Sequence, residues 1–191
     1  MGKAYVAGGR CGPTVSPVTT YVLLLRGVNV GGVNLKMTDV AAALTDAGFT
    51  AVRTVLASGN ILVDSEHDRA TVTETAQQRL RERFDYPAWV LVYELAAVRA
   101  IAADYPFTPE VDGYHSYVTF VADPAALEEL AGLAAGADEK IARGDGVVYW
   151  QVPKNTTLKS ALGATMGAAR YKPVTTTRNL RTLGKVLARA Q

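Results

Sequence analysis

Residues Tyr21–Ser65, YVLLLRGVNVGGVNLKMTDVAAALTDAGFTAVRTVLASGNILVDS, constrain the fold more than any other part of the chain. Tyr21–Val28 is apolar on both faces until Arg26, the pattern of a central strand covered on both sides. A loop rich in glycine and asparagine, Gly27–Asn34, follows. Met37, Val40, Leu44 and Ala47 then recur at helical spacing, with Thr38 placed to cap and Gly48 to stop the helix. Val52–Ala57 and Ile61–Val63 read as strands joined by the hairpin turn Ser58-Gly59-Asn60. Asp68 caps a second helix with the stripe Val72, Ala76, Leu80 and Phe84, and Ala88–Tyr93 reads as the next strand. The order β-α-β-β-α-β is that of a ferredoxin-like unit.

The rest of the chain repeats this order. Leu95, Val98, Ile101 and Tyr105 make a connecting helix that ends before Pro106. Tyr114–Val121 is a strand. Asp123-Pro124 caps a helix buried through Leu127, Leu130 and Leu133. Glu139–Arg143 and Val147–Val152 flank the turn Gly144-Asp145-Gly146. A helix is expected over Leu158–Ala169 and, in place of a final strand, a last helix from Arg178 to Ala190. The expected fold is therefore α+β, a tandem duplication of ferredoxin-like units with an extra C-terminal helix. Its parts are an extension over residues 1–20, a first unit over 21–93, a connecting helix and loop over 94–113, and a second unit over 114–191. The extension is read as flexible from Gly8-Gly9, Gly12-Pro13 and Pro17.

Two motifs in this order carry a family resemblance: LLRGVNVGG with a lysine before a helix and SGN in a hairpin, and TTTRNLRTLGKVL near the end. Over roughly Tyr21–Ala188 the chain resembles the bacterial family catalogued as domain of unknown function 1697. The resemblance implies a fold and no activity, so it assigns no catalytic residue. The Ser-Lys pair expected before the penultimate helix stands here in reverse, as Lys159-Ser160.

Hydrophobic content of 49% suffices for a core, and 20% charged residues do not make a disordered chain. No apolar run approaches the roughly 20 residues of a membrane helix, and the first twenty residues lack the apolar region of a signal peptide. The single cysteine, Cys11, fits a reducing compartment. The expected location is the cytoplasm, without a membrane partner. The net charge of +2 hides an asymmetry: from Gly146 onward there is no Asp or Glu, but eight of the 20 Lys and Arg. A basic end on an acidic body points to an anionic partner or to one half docking on the other.

The element order places the loop after strand one and the turn between strands two and three at the same end of the sheet. Arg26, Asn29, Gly31, Gly32, Lys36, Ser58, Gly59 and Asn60 should therefore gather there. Glycines permit close approach, and successive loop N–H groups can bind an anion. Thr177, placed to cap the last helix, would leave Arg178 and Asn179 beside exposed N–H donors. Arg178, Arg181, Lys185 and Arg189 would form one basic face of that helix, the arrangement of a nucleic-acid contact. The alternative at each place is structural: tight turns and a solvated helix face.

Neither the dinucleotide nor the phosphate-loop fingerprint is present, and no cofactor is expected. His67 and His115 stand apart with no cysteine pair, so no metal site is expected. Ser58 and Ser116 lack a Gly-x-Ser-x-Gly context. The leading expectation is a binding protein for an anionic, phosphate-bearing ligand, a nucleotide-like molecule or nucleic acid. Two alternatives stay open. One is a small enzyme acting in the Gly27–Lys36/Ser58–Asn60 cleft with Lys36 or Ser58. The other is an interaction module whose halves or subunits, as in a homodimer, pair through sheet faces.

Overall fold

The computed structural model describes residues 17–29, 33–85 and 87–191. Cys11, Gly31, Gly32 and most of the N-terminal extension lie outside the described residues.

The first half contains β1 (Thr19–Leu25), α1 (Met37–Asp46), β2 (Thr50–Val55), β3 (Asn60–Ser65), α2 (Arg69–Phe84), β4 (Val90–Glu94) and α3 (Leu95–Ala103). The second contains β5 (Tyr114–Val121), α4 (Pro124–Ala131), β6 (Lys140–Arg143), β7 (Val147–Pro153), α5 (Ala161–Thr165), β8 (Thr175–Asn179) and α6 (Leu180–Arg189). Each half folds into an antiparallel four-stranded sheet, ordered β2-β3-β1-β4 and β6-β7-β5-β8. These are two ferredoxin-like units, as the element order predicts. The anticipated caps form at two helices: Asp68 accepts from Thr71 N at 2.8 Å and Asp123 from Ala126 N at 2.7 Å.

Four local expectations are corrected. The sheet begins within the presumed extension, because Thr19 and Thr20 pair with Ser65 and Asp64. Lys36, not Thr38, stands at the start of α1, and no side chain caps it. The helix expected over 158–169 shrinks to Ala161–Thr165, capped by Ser160, with a 3-10 turn at Ala169–Tyr171. Gly163 explains the short helix: a Cβ there would lie 1.8 Å from Thr157 O, so the preceding loop folds directly onto it. Finally, the second half does end in a strand. The β-branched run Thr175–Thr177 pairs with β5, and only at Asn179 does the chain turn into α6.

That last correction makes the halves equivalent in the order of their strands and main helices, each ending strand-then-helix. Tyr21–Leu25 pair with Glu94–Val90 as Tyr117–Val121 pair with Asn179–Thr175. The connecting helix α3 is the counterpart of α6, with Val98 and Ile101 matched by Leu183 and Val186, all four buried. These side chains form a shared core with Val22, Leu24 and Leu62 of the first sheet and Val118, Phe120 and Val147 of the second. The outer sheet faces are covered separately. Helices α1 and α2 pack on Leu23 and Ile61, and α4 and α5 on Val148 and Trp150.

Candidate functional site

A cleft of about 480 Å³ opens where the end of β1 and the β2–β3 turn meet β8 and the loop before α5. The predicted adjacency of loop and turn is found. Leu25 N donates to Gly59 O at 2.8 Å, and Asn29 Nδ2 donates to Ala57 O at 2.6 Å. The facing wall is supplied by the other half: Trp150, Thr157, Leu158, Met166 and Thr176–Asn179.

Arg26 leaves β1 and crosses to that wall. Its Nη1 donates to Thr175 O at 2.6 Å and to Thr175 Oγ1 at 2.5 Å, and its Nη2 to Met166 O at 3.4 Å. Arg178 crosses in the opposite sense from β8 and is only 7% exposed. Its Nη2 donates to Leu25 O at 2.7 Å and Gly59 O at 3.1 Å, its Nη1 to Thr176 Oγ1 and Thr177 O, and its Nε to Asn60 Oδ1. All five guanidinium N–H groups thus have acceptors, every one of them neutral. Burial lowers the Arg26 guanidinium and pushes that of Arg178 down to about 10. Both stay cationic at neutral pH. Among the described residues no Asp or Glu lines the cleft. Two buried or half-buried positive charges therefore share one cavity without a carboxylate, an arrangement that costs free energy unless an anion completes it.

The edge of β8 sharpens this polarity. Ala122 N donates to Val174 O at 2.8 Å. By the alternation of antiparallel pairs, Thr175 and Thr177 then direct their backbone groups away from β5, toward the cleft. Their carbonyls are taken by Arg26 and Arg178. Among the described residues the Thr177 N–H meets no acceptor, and neither does the side-chain amide N–H of Asn179, whose oxygen accepts from Arg181 N at 2.9 Å and so caps α6. The open groups at this edge are donors.

The other candidate residues separate into two sets. Arg26, Ser58, Thr177, Arg178 and Asn179 line the cleft. Asn29 instead closes its own loop, bonding Leu35 N and Leu35 O at 2.9 Å, in the left-handed region at φ 56°. Asn60 is fully buried; its amide donates to Val55 O and Ser58 Oγ and its oxygen receives Arg178. Gly59 supplies a carbonyl, and Lys36 is exposed at the start of α1. The Ser58 hydroxyl meets Asn60 and no basic side chain among the described residues.

The basic face of the last helix is also corrected. Arg178 lies in β8, buried, and Thr177 lies in the strand with its hydroxyl 2.8 Å from that of Thr119. Arg181 on α6 pairs with Glu110 at 2.6 Å, which leaves Lys185 and Arg189 as the exposed cations of that face without a carboxylate partner among the described residues. Two further cations of the basic end are paired internally, Arg170 with Glu129 and Lys154 with Asp112.

The duplicated partner of this cleft shows what has diverged. By the strand registers, Arg178 corresponds to Tyr93, and Asn60 to Val147. Arg26, which follows β1, corresponds to Ala122, which follows β5. The equivalent groove, about 340 Å³, is lined by Val90–Tyr93, Val121, Ala122 and Pro173, with Arg69 on its α2 wall. Among the described residues the paired, crossing arginines line the first cleft and not its counterpart.

Among the described residues no group of three or more His, Cys, Asp or Glu is placed to hold a metal, and no helix is long and apolar enough to cross a membrane. No curated protein matches the chain significantly. Among solved structures it is similar to the conserved bacterial protein SP0830 from Streptococcus pneumoniae, with a TM-score of 0.77 at 22% identity over 92% of this chain and 100% of that one. That likeness is one of fold. The sequence profile described as Protein of unknown function (DUF1697) matches residues 18–149, and the chain belongs to that family.

Proposed function

We propose that the cleft between the two halves binds a small anionic, phosphate-bearing ligand. The observation that carries the reading is the pair Arg26 and Arg178, two desolvated cations in a cavity with no lining carboxylate. Arg178 has no free donor and acts through its charge. Arg26 uses Nη1 and one long Nη2 bond, so its Nε and a second Nη2 hydrogen remain for a ligand. With the Thr177 N–H and the Asn179 amide, they present donors to an acceptor-rich group. The volume fits a metabolite-sized ligand.

The test is thermal unfolding of the full chain with glycerol phosphate or adenosine monophosphate, against sodium chloride at matched ionic strength. A saturable rise in Tm is expected, about 5–10 °C at a hundredfold excess over Kd. Arg26→Gln should abolish the rise, whatever its own starting Tm. Absence of a saturable shift with either compound, or an equal shift in Arg26→Gln, would overturn the reading.

A further inference from the structure

We infer, resting on the anion-binding reading above, that the ligand is amphiphilic: an acidic group held at Arg26 joined to an apolar body seated against Leu158. Leu158 is 84% exposed, the most exposed large apolar side chain among the described residues, and it stands at the mouth of the charged cleft. It is not on a loose segment. Thr156 Oγ1 donates to Pro153 O at 2.8 Å, Lys159 N to Thr156 O at 2.8 Å, and Ser160 Oγ to Thr157 O at 2.7 Å. The loop is further pinned because Thr157 O occupies the space a side chain at Gly163 would need. An apolar side chain fixed in water beside a pocket gains by covering a ligand there.

The inner surface agrees. Val28 on one wall and Met166 on the other are apolar, and Met166 is also the residue whose carbonyl accepts from Arg26. The charged and apolar parts of the cleft are thus adjacent. A bare phosphate would satisfy the first and leave the second, and most of 480 Å³, unfilled. An aryl or alkyl phosphate fills both.

The experiment is calorimetric titration of the full chain at pH 8 with inorganic phosphate, glycerol phosphate and phenyl phosphate, repeated on Leu158→Ser. Leu158 is exposed, so this variant should keep the native Tm. Phenyl phosphate should bind the native chain about tenfold more tightly than inorganic or glycerol phosphate, the gain from burying about 55 Å² of apolar surface. Leu158→Ser should remove at least two-thirds of that gain and leave the Kd for inorganic phosphate unchanged. Equal binding of all three phosphates, still dependent on Arg26, would overturn the amphiphilic ligand and leave the anion site standing. An unchanged phenyl preference in Leu158→Ser would overturn the seat at Leu158. Binding by none of the three would overturn both this inference and the reading beneath it.

Discussion

Arg178 and Asn60 stand 118 residues apart in the chain and are joined by a hydrogen bond from the Arg178 Nε to the Asn60 Oδ1, buried between the two halves. Asn60 is in turn fixed by its own amide, which donates to Val55 O at 3.0 Å and Ser58 Oγ at 3.1 Å. The hairpin turn of the first half is thereby tied to the last strand of the second. The residue that carries most of the cleft's buried charge is also the one that holds its walls together.

Replacing Arg178 should be expensive for that reason. Arg178→Leu leaves Leu25 O and Asn60 Oδ1 buried without their donor, and Gly59 O with Leu25 N alone. The cost should be about 3 kcal/mol, a fall in Tm of about 6–12 °C. Arg178→Lys should recover little, because an ammonium offers three donors from one point where the site takes five from a planar fork. Denaturant unfolding of both variants checks this; a loss under 1 kcal/mol in Arg178→Leu would show that the contacts are dispensable.

Two glycines should respond in opposite directions. Gly59 has φ +74°, and a Cβ there would lie 2.8 Å from the Leu25 Cβ in the buried central strand. Gly59→Ala should destabilise by about 2–3 kcal/mol through strain and displacement. Gly184 lies inside α6 with nothing within 4 Å of its absent side chain. Gly184→Ala should stabilise by about 0.5–1 kcal/mol, raising Tm by about 1–4 °C. Equal effects of the two substitutions would contradict the packing described for both.

Much of the fold was legible because it rests on local signals: the apolar run of β1, the Ser58-Gly59-Asn60 turn, and the caps at Asp68 and Asp123. What was not legible depends on tertiary pairing. Thr175–Asn179 has no apolar alternation and becomes a strand by pairing with β5. A helix started at Arg178 instead of Leu180 puts Arg178 in register with Arg181, Lys185 and Arg189, as part of their exposed face. One wall of the cleft was readable, since Arg26 and Ser58 follow from the order of the first unit. The other wall, with Trp150, Leu158 and Met166, was not, because nothing in the sequence says how the halves face one another.

High pH should expose the buried phenols. Burial pushes Tyr93 up to about 12, offset slightly by Arg69, and burial with Asp104 and Asp145 does the same to Tyr149. Between about pH 10 and 12 the unfolded chain loses these protons while the folded chain keeps them. Their contribution is therefore complete below pH 10 and falls away as pH rises toward 12. Tyr93→Phe should lessen the loss of stability between pH 9 and pH 11 in urea unfolding. An identical loss in the variant would show that Tyr93 ionises as freely in the folded chain as in the unfolded one. Tyr149→Phe is a poorer probe, because it also deprives Ile101 O of its donor.

The shared core predicts that the halves unfold together. Leu183 and Val186 of α6 pack in one cluster with Val22, Leu24 and Leu62 of the first sheet. A fragment ending at Gly113 would expose that sheet face. Calorimetry of the whole chain should show one transition, and the fragment over residues 17–113 should lack a cooperative one. Two separable transitions in the whole chain would mean that this cluster contributes little.

The last expectation separates a small ligand from nucleic acid. A stripe of four phosphate-contacting cations would give a slope of log K against log salt of about −3 to −4. In the folded chain Arg178 is buried and Arg181 is engaged by Glu110, so Lys185 and Arg189 are what α6 offers to a phosphate backbone. Any binding to DNA or RNA through this helix should then have a slope no steeper than about −2. Lys185→Ala with Arg189→Ala should remove it while leaving the phosphate-dependent rise in Tm intact, because neither residue lines the cleft. The double variant should also keep its stability within about 0.5 kcal/mol, as exposed substitutions do. A slope near −4 that persists in the double variant would place a nucleic-acid surface elsewhere on the molecule. It would also count against a site closed around a single small anion.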